Sequence, residues 1–322
     1  MFDDKFITSA IKRSAETSVD RRRLFAMAGV AGVGAAAALV TSAGPAMASE
    51  ADKDKDKDKE GNGAPSDASI LNFALNLEYL EAEFYLHATT GMGLPMELTT
   101  GREKRGEVSG GRAVPFTTPT IRKIALDIAK DEKEHVAFLR SALGNAAVAR
   151  PAISLDASFT AAAMAAGLIK KGQTFDPYAN ELNFLFAAFI FEDVGVTAYK
   201  GAAPFITNKT YLSAAAGILA VEAYHAGIIR TTLYTEGIET PAVYDAVQKI
   251  SDARDSLDGP SDDDQGIGTA AASNFVPTDA NAIVYGRTPG QVLNVVYLNP
   301  KEVRSGGFFP SGVNGRINTS GS

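Results

Sequence analysis

The chain has 322 residues, a formal net charge of −7 and no cysteine. Its length allows one large domain or two small ones. The lack of cysteine excludes disulfides, thiolate catalysis, iron–sulfur clusters and cysteine-ligated zinc, and it leaves the cellular compartment open. Because basic residues cluster only near the amino terminus, no nucleic acid partner is expected.

Residues 1–48 carry the pattern of an export signal. Three arginines, beginning with Arg21 and Arg22, precede a run rich in Ala and Gly that ends in small residues at Ala46 and Ala48. This order resembles a twin-arginine signal peptide, which predicts recognition by the twin-arginine export machinery and cleavage after Ala48. The alternative is an uncleaved membrane anchor of about 20 residues. We therefore expect export to the periplasm, with secretion from the cell as the other outcome.

Three segments follow the signal. Residues 49–65 alternate Asp and Lys and hold no large apolar residue, which predicts a solvated, disordered linker. Residues 66–257 show apolar residues at helical spacing and are assigned to one helical bundle. Residues 258–322 are rich in Gly, Pro, Asn and Asp, which predicts an irregular carboxy-terminal extension. That extension packs on the bundle or at an interface, so a homo-oligomer is one expectation.

Caps and breaks divide the bundle segment into helices. Thr, Asp and Asn caps, in several cases with proline at the first helical position, mark the starts, and glycines mark most of the ends. The four long helices are predicted at 67–90, 119–144, 176–201 and 208–237, with accessory helices at 156–171 and 241–257.

The lengths and gaps of these helices indicate the fold class. Four helices of about 24 to 29 residues span roughly 36 to 43 Å, which suits a four-helix bundle. More than 30 residues separate the second long helix from the third, enough to cross the full length of the bundle. The expected fold is all-α: a four-helix bundle with a long crossover, accessory helices and an irregular tail.

Two helices carry a Glu-x-x-His pair. Glu132 and His135 lie on the second long helix, and Glu222 and His225 lie on the fourth. Residues three apart share a helix face, so each pair offers a carboxylate and an imidazole to one point. A single such pair is usually a surface pair or a buried histidine with an ordinary partner. Here two of the three histidines in the chain have this spacing.

The helix before each pair repeats a second pattern. Glu78 precedes Tyr85 by seven residues on the first helix, and Glu192 precedes Tyr199 by seven on the third. Seven residues are about two helical turns, so each glutamate shares a face with its tyrosine. The chain is therefore interpreted as an internal duplication. The two tyrosines either hydrogen-bond the carboxylates or pack against the next helix.

This inventory is the one that a di-metal carboxylate bundle needs. Such a site takes one Glu from each of two helices and Glu-x-x-His from each of the other two. Four glutamates and two neutral imidazoles balance two divalent cations, and these ligands suit iron or manganese. The predicted ligands are Glu78, Glu132, His135, Glu192, Glu222 and His225. The other interpretation is a bundle that keeps these residues and works without metal.

Other polar residues near these motifs receive different interpretations. Glu81 lies three residues after Glu78 and can face inward, although Gly195 takes its place in the second repeat. Glu83 is expected to be solvated, and His87 is expected to be a partly exposed residue at a helix end. Arg140 and Arg230, five residues after the two histidines, are interpreted as salt-bridge partners at helix ends.

At these motifs the chain resembles the ferritin-like superfamily, in particular the exported ferritin-like proteins grouped with desiccation-related proteins. The segments that carry the resemblance are "NLEYLEAEFY", "FEDVGVTAYKGAAP" and "GILAVEAYHAGIIRTTL". The resemblance implies a di-iron-type centre. It makes Glu78 and His135 terminal ligands of one metal, Glu192 and His225 those of the other, and Glu132 and Glu222 the bridges.

The resemblance leaves the activity open, because the superfamily includes ferroxidases, iron stores, manganese catalases and oxygen-activating oxidases. The leading hypothesis is an exported protein with two iron ions, or two manganese ions, that oxidises Fe(II) or reduces oxygen or peroxide in stress protection. The alternative is a non-catalytic desiccation- or stress-protective bundle with structural metal or none. Iron storage needs a hollow shell of many copies, and the segment 91–118 and the long tail argue against that assembly.

Overall fold

The structure is a computed structural model, and it describes residues 65–261 and 263–321. The predicted signal segment and all but the last residue of the predicted linker lie outside the described residues. The α-helices are α1 (Asp67–Thr90), α2 (Pro119–Leu143), α3 (Ala157–Ala165), α4 (Glu181–Ala202), α5 (Lys209–Glu239), α6 (Ala242–Asp258) and α7 (Pro289–Val296). The short strands are β1 (Val108–Gly110), β2 (Ile153–Leu155), β3 (Gly268–Thr269) and β4 (Ala272–Ser273).

Local signals in the sequence fix most ends of the long helices. At the start of α1, Ser66 caps the helix by accepting a hydrogen bond from the Ser69 backbone N–H. At its end, Gly91 has a φ of 76°, a left-handed conformation that glycine adopts without strain. Proline occupies the first turn of α2, where its missing N–H costs nothing. The predicted α1 is confirmed to the residue, and α2 differs from its prediction by one residue.

The prediction that α4 begins at Asp176–Pro177 is wrong. The Asp176 side chain instead accepts a hydrogen bond from the Tyr178 backbone N–H and closes a turn. Asn180 caps the helix by accepting from the Asn183 backbone N–H, so α4 begins at Glu181. The accessory helix α3 is also shorter than predicted, because Gly167 adopts a φ of 67° soon after its end.

The four long helices form the predicted four-helix bundle. Helix α1 packs along α2, α4 packs along α5, and the two pairs meet through α1–α4 and α2–α5 contacts. Helices α1 and α4 are buried over most of their length, which explains why both lack a wide polar face. Ring centroids of Phe84, Phe159 and Phe191 lie 5.5 Å apart, and Phe308 of the tail packs against the last two at 5.0 Å.

Two helices are long and apolar enough to cross a membrane by length and composition alone. One is the segment Glu181–Phe205, of which 83% of the apolar window is buried in the bundle. The other is α5, of which 33% of the window is buried. The burial of the first is what a core helix of a bundle shows, and neither finding by itself places the chain in a membrane.

The long loops on both sides of α2 form a short parallel strand pair that the sequence did not predict. Strand β1 pairs with β2, with Val108 opposite Ile153. Beneath it, Glu83 of α1 forms a buried ion pair with Arg150 and accepts a hydrogen bond from the Leu94 backbone N–H. The expectation that Glu83 is solvated is therefore wrong, because the crossover covers it and supplies its partner.

The irregular tail packs on the bundle. Asn76 of α1 donates a hydrogen bond to the backbone carbonyl of Asn314 at 2.8 Å and accepts one from its N–H at 3.0 Å. Helix α7 lies against α4 and α6. The tail was expected to pack on the bundle or at an interface, and the structure shows it packed on the bundle.

Buried arginines connect the tail to α4, α5 and α6. Arg230 is fully buried and pairs with Asp193 at 2.8 Å, which contradicts its interpretation as a helix-end residue, since α5 continues nine residues beyond it. Arg254 also pairs with Asp193, at 2.9 Å. The rest of this network is formed by Arg254, Arg287, Asp258 and Asp264. The interpretation of Arg140 is wrong in another way, because its guanidinium donates to the Tyr79 hydroxyl and to a backbone carbonyl.

Candidate metal centre

Six side chains from the four long helices converge in the middle of the bundle. Glu78 comes from α1, Glu192 from α4, and a Glu-x-x-His pair from each of α2 and α5. The four glutamates are at most 1% exposed, and His135 and His225 are 9% and 4% exposed. These are the six residues that the sequence analysis selected. They come together because each lies on the inward face of its helix.

The six side chains form two groups that share one carboxylate. His135 Nδ1 lies 3.2 Å from Glu78, 3.3 Å from Glu132 and 3.7 Å from Glu222. His225 Nδ1 lies 3.0 Å from Glu132 and 3.6 Å from Glu192. The two imidazole centroids are 6.4 Å apart. Glu132 thus belongs to both groups, whereas Glu222 lies in the His135 group.

Several buried atoms of this cluster have no hydrogen-bond partner among the residues that the structure describes. They are Glu132 Oε1, Glu192 Oε2, both carboxylate oxygens of Glu222, and His225 Nδ1. The 3.0 Å approach of Glu132 Oε1 to His225 Nδ1 joins two of them without the geometry of a hydrogen bond. Buried polar atoms left unpaired cost free energy, and lone pairs that point at a common space are what a cation would satisfy. The donor set therefore fits a pair of metal ions of the iron or manganese type.

The tyrosines bind across the two repeats. The Tyr85 hydroxyl on α1 donates a hydrogen bond to Glu192 on α4, and the Tyr199 hydroxyl on α4 donates one to Glu78 on α1. Both tyrosines are buried. The sequence left open whether the tyrosines hydrogen-bond the carboxylates or only pack against the next helix, and the structure shows the hydrogen bonds. Each bond fixes one oxygen of a glutamate and leaves the other directed to the cluster.

Burial and mutual charge set the protonation of the cluster. Burial raises the pKa of Glu78 to about 7, although the charge of His135 opposes the shift. Burial disfavours charge on both histidines, but the carboxylates around them outweigh that effect. Chiefly because of Glu78, the pKa of His135 rises to about 11. Chiefly because of Glu192, the pKa of His225 rises to about 12. Burial alone would raise the pKa of Glu132, but hydrogen bonding and the charge of His135 and His225 outweigh it, so the pKa falls to about 2. Without metal, protonated imidazoles supply the positive charge that cations would otherwise bring.

A fifth buried carboxylate lies beside the six residues. Glu81 of α1 is 5% exposed, and burial raises its pKa well above the usual value, with further increases from nearby glutamates. A β-carbon at Gly195 would lie 2.2 Å from Glu222 Oε2 and 3.4 Å from Glu81 Oε1. Glycine at this position therefore leaves room for the Glu222 carboxylate. The three-residue spacing from Glu78 was the sequence signal for Glu81, and the Gly195 mismatch obscured it.

A residue that the sequence analysis missed contacts the outer side of the cluster. Asp131 Oδ2 lies 3.4 Å from His225 Nε2. Both residues line a surface hollow of about 300 Å³ between α2 and α5. No sequence signal marks Asp131, since it directly precedes a predicted ligand and contacts a different helix.

A second acidic group has another role. Asp258 and Asp264 lie close together with Asp255 near the tail, but both pair with Arg287. Their charge is therefore compensated by a guanidinium, as part of the buried network that joins the tail to the bundle.

Comparisons with known proteins agree with the fold. The model of the ferritin-like domain family matches residues 66–235. The chain is 32% identical over 265 residues to the desiccation-related protein PCC13-62 of Craterostigma plantagineum, covering 78% of this chain and 84% of that protein. It is 30% identical over 269 residues to the ferritin-like catalase Nec2 of Nesocodon mauritianus, covering 78% of this chain and 85% of that protein. No solved structure gives a significant match. The chain belongs to the ferritin-like family.

Proposed function

We propose that the six-residue cluster holds two iron or manganese ions and supports a redox reaction of hydrogen peroxide in stress protection. The observation that carries this proposal is the set of buried carboxylate and imidazole atoms that lack hydrogen-bond partners and face one another. The name of one relative, a ferritin-like catalase, supports peroxide over other oxidants. Oxidation of Fe(II) by oxygen is the related reaction that the same residues would serve.

The protein residues have three tasks in this proposal. Two metal ions held by these residues would supply the two-electron redox change by which two peroxides are converted into one dioxygen and two waters. Glu132 lies in both groups and would help to hold both ions. Tyr85 and Tyr199 hold the outer oxygens of Glu192 and Glu78 by hydrogen bonds. The apolar side chains of α1 and α4 keep bulk water away from the cluster.

Metal analysis and oxygen evolution test this function together. We expect two metal ions per chain and oxygen release from peroxide in the protein prepared with iron or manganese. Glu222→Gln and His225→Ala remove ligands and should lose both properties, whereas Glu134→Gln, an exposed change beside the cluster, should keep both. Two bound ions without reaction with peroxide, and without oxygen uptake on addition of Fe(II), would contradict the redox role.

The second candidate function is a stress-protective bundle without catalysis. It is supported by the relative named as a desiccation-related protein, which covers as much of the chain as the catalase does. In this case a labile enzyme dried together with the protein should be protected equally by wild type and by His225→Ala. Two results would contradict this second function. One is protection by wild type that His225→Ala has lost, and the other is metal-dependent peroxide removal by a protein that gives no protection during drying.

We also propose that the protein is exported through the twin-arginine pathway and acts in the periplasm. The support is the sequence pattern of residues 1–48. Amino-terminal sequencing of the exported form should begin after Ala48, and Arg21→Lys with Arg22→Lys should keep the protein in the cytoplasm. Export of that double variant at the normal level would contradict the assignment.

A further inference from the structure

The two histidines of the cluster have different outer environments. His225 Nε2 lies 3.4 Å from Asp131 Oδ2, on the side of the imidazole away from the glutamates. For His135, the carboxylates within 4.0 Å among the described residues are Glu78, Glu132 and Glu222 of the cluster itself, each with its contact at Nδ1. One imidazole is thus held from both sides and the other from one side only.

The internal repeat explains this difference. Glu132 and Glu222 are 90 residues apart, as are His135 and His225, so Asp131 of α2 corresponds to Val221 of α5. Asp131 contacts the histidine of the opposite helix. The corresponding position in the other half is valine, a partly buried residue that lines the same hollow and has no polar atom in its side chain. The two halves therefore share the candidate ligand types and differ at this outer position.

A carboxylate behind an imidazole changes its properties as a ligand. By accepting a hydrogen bond from Nε2–H, it fixes the tautomer in which Nδ1 carries the lone pair, and it makes that nitrogen more basic. The buried His225 Nδ1 atom faces Glu132 and Glu192, so once it has lost its proton its lone pair is directed into the cluster. Among the described residues, His135 has no outer carboxylate of this kind, and the hydrogen bonds that orient its ring run from Nδ1 to Glu78 and Glu132 of the cluster itself.

We propose that Asp131 is a positioning residue that makes the two metal positions unequal, with the position at His225 and Glu192 taking the first ion and the position at His135 and Glu78 the second. This inference rests on the proposed metal binding. It goes further by assigning an order of loading, and it makes the Asp131–Val221 difference the cause of that order.

The test uses titration of the purified, metal-free protein with Co(II) and with Zn(II), followed by visible absorption for Co(II) and by calorimetry for both. Wild type should show two resolved steps. Asp131→Asn should weaken the first step about 10- to 100-fold, the usual effect of losing an outer-shell partner of a metal ligand. Val221→Asp should strengthen the second step, and Asp131→Val with Val221→Asp should reverse the order of the two sites. Asp127→Asn, an exposed acid on α2 in the same hollow, is the matched control and should leave both steps unchanged.

The outcomes separate this inference from the proposed function. If wild type binds no Co(II) or Zn(II), the metal-binding proposal itself fails. If wild type binds two ions with equal affinity, or if Asp131→Asn behaves like Asp127→Asn, metal binding stands and the positioning role of Asp131 is overturned. Because Asp131 is partly exposed, folding of its variants is checked by thermal melting of the metal-free protein, which should match that of the control.

Discussion

Tyr85 on the first helix of one repeat donates a hydrogen bond to Glu192 on the first helix of the other repeat. The reciprocal bond runs from Tyr199 to Glu78. Two copies of one sequence pattern are thereby joined through the candidate metal centre, since each tyrosine holds a carboxylate of the opposite half. This arrangement couples the packing of α1 against α4 to the orientation of the two carboxylates.

Removal of one of these hydroxyls should weaken metal binding. Tyr85→Phe takes away the donor to Glu192, so that carboxylate can rotate, and affinity for Mn(II) or Co(II) should fall about 10- to 100-fold. Tyr178→Phe is the matched control, because the buried Tyr178 hydroxyl has no hydrogen-bond partner within residues 65–261 and 263–321. Its removal should leave affinity unchanged. Equal affinities of the two variants in calorimetry would contradict the orienting role of Tyr85.

Metal binding should release protons. Carboxylates raise the pKa of His135 to about 11 and of His225 to about 12, so both imidazoles are protonated at neutral pH when no metal is bound. A metal ion needs the nitrogen lone pair, and each histidine must therefore lose its proton. We expect two or more protons per pair of ions and an affinity that rises with pH between 6 and 8. Calorimetry in buffers of different ionisation enthalpy measures this number, and a value near zero would contradict it.

A methyl group at Gly195 should damage the cluster and leave the fold intact. In Gly195→Ala the new β-carbon would lie 2.2 Å from Glu222 Oε2, so the carboxylate has to move from its place among the ligands. We expect loss of at least one metal ion per chain. Gly217→Ala is the control: it lies on α5 with open space around it, and it should stabilise the protein by about 0.5–1 kcal/mol. Full metal content in Gly195→Ala, measured by mass spectrometry, would contradict the assigned position of Glu222.

The sequence predicts the parts of this site that depend on local spacing along a helix, and it does not predict contacts between segments far apart in the chain. The six candidate ligands and both tyrosines follow from helical spacing and from the repeat, which are local properties of the chain. The partners of Glu83 and Arg230 do not, because they come from segments far away in sequence, the crossover and the tail. Asp131 is missed for the same reason: its contact crosses from α2 to α5, and only the bundle geometry brings the two helices together.

Glu81 should destabilise the metal-free protein as the pH rises. Burial and the nearby carboxylates raise the pKa of Glu81 in the folded protein above its value of about 4.5 in the unfolded chain. The contribution of Glu81 to the free energy of unfolding is therefore complete below pH 4.5, and it is lost as the pH rises toward the pKa of the folded protein. Glu81→Gln removes the dependence. Above pH 5, the free energy of unfolding of Glu81→Gln should exceed that of wild type by up to about 1.4 kcal/mol more for each pH unit. Urea unfolding at pH 5 and pH 8 measures this gain, and Glu134→Gln is the exposed control. A gain that is the same at both pH values would contradict the burial of a titrating carboxyl.

The buried ion network should be essential for stability. Asp193 accepts hydrogen bonds from Arg230 at 2.8 Å and from Arg254 at 2.9 Å, in a region that both guanidiniums share with the Phe189 ring. Asp193→Asn keeps the shape and removes the charge, which leaves two buried arginines short of an anion. Breaking a buried pair in this way costs about 3–5 kcal/mol, whereas an exposed change usually costs less than about 0.5 kcal/mol.

Asp252→Asn provides the exposed comparison, since Asp252 lies on the outer face of α6 and accepts a hydrogen bond from Gln248. Unfolding in urea, monitored by circular dichroism, gives both free energies. Because the same network holds residues of the tail through Arg287 and Asp264, Asp193→Asn should also expose the tail to limited proteolysis before the bundle is cut. Equal stability of the two variants, with an equally resistant tail, would mean that apolar packing of residues such as Phe308 holds the tail in place without help from the charges.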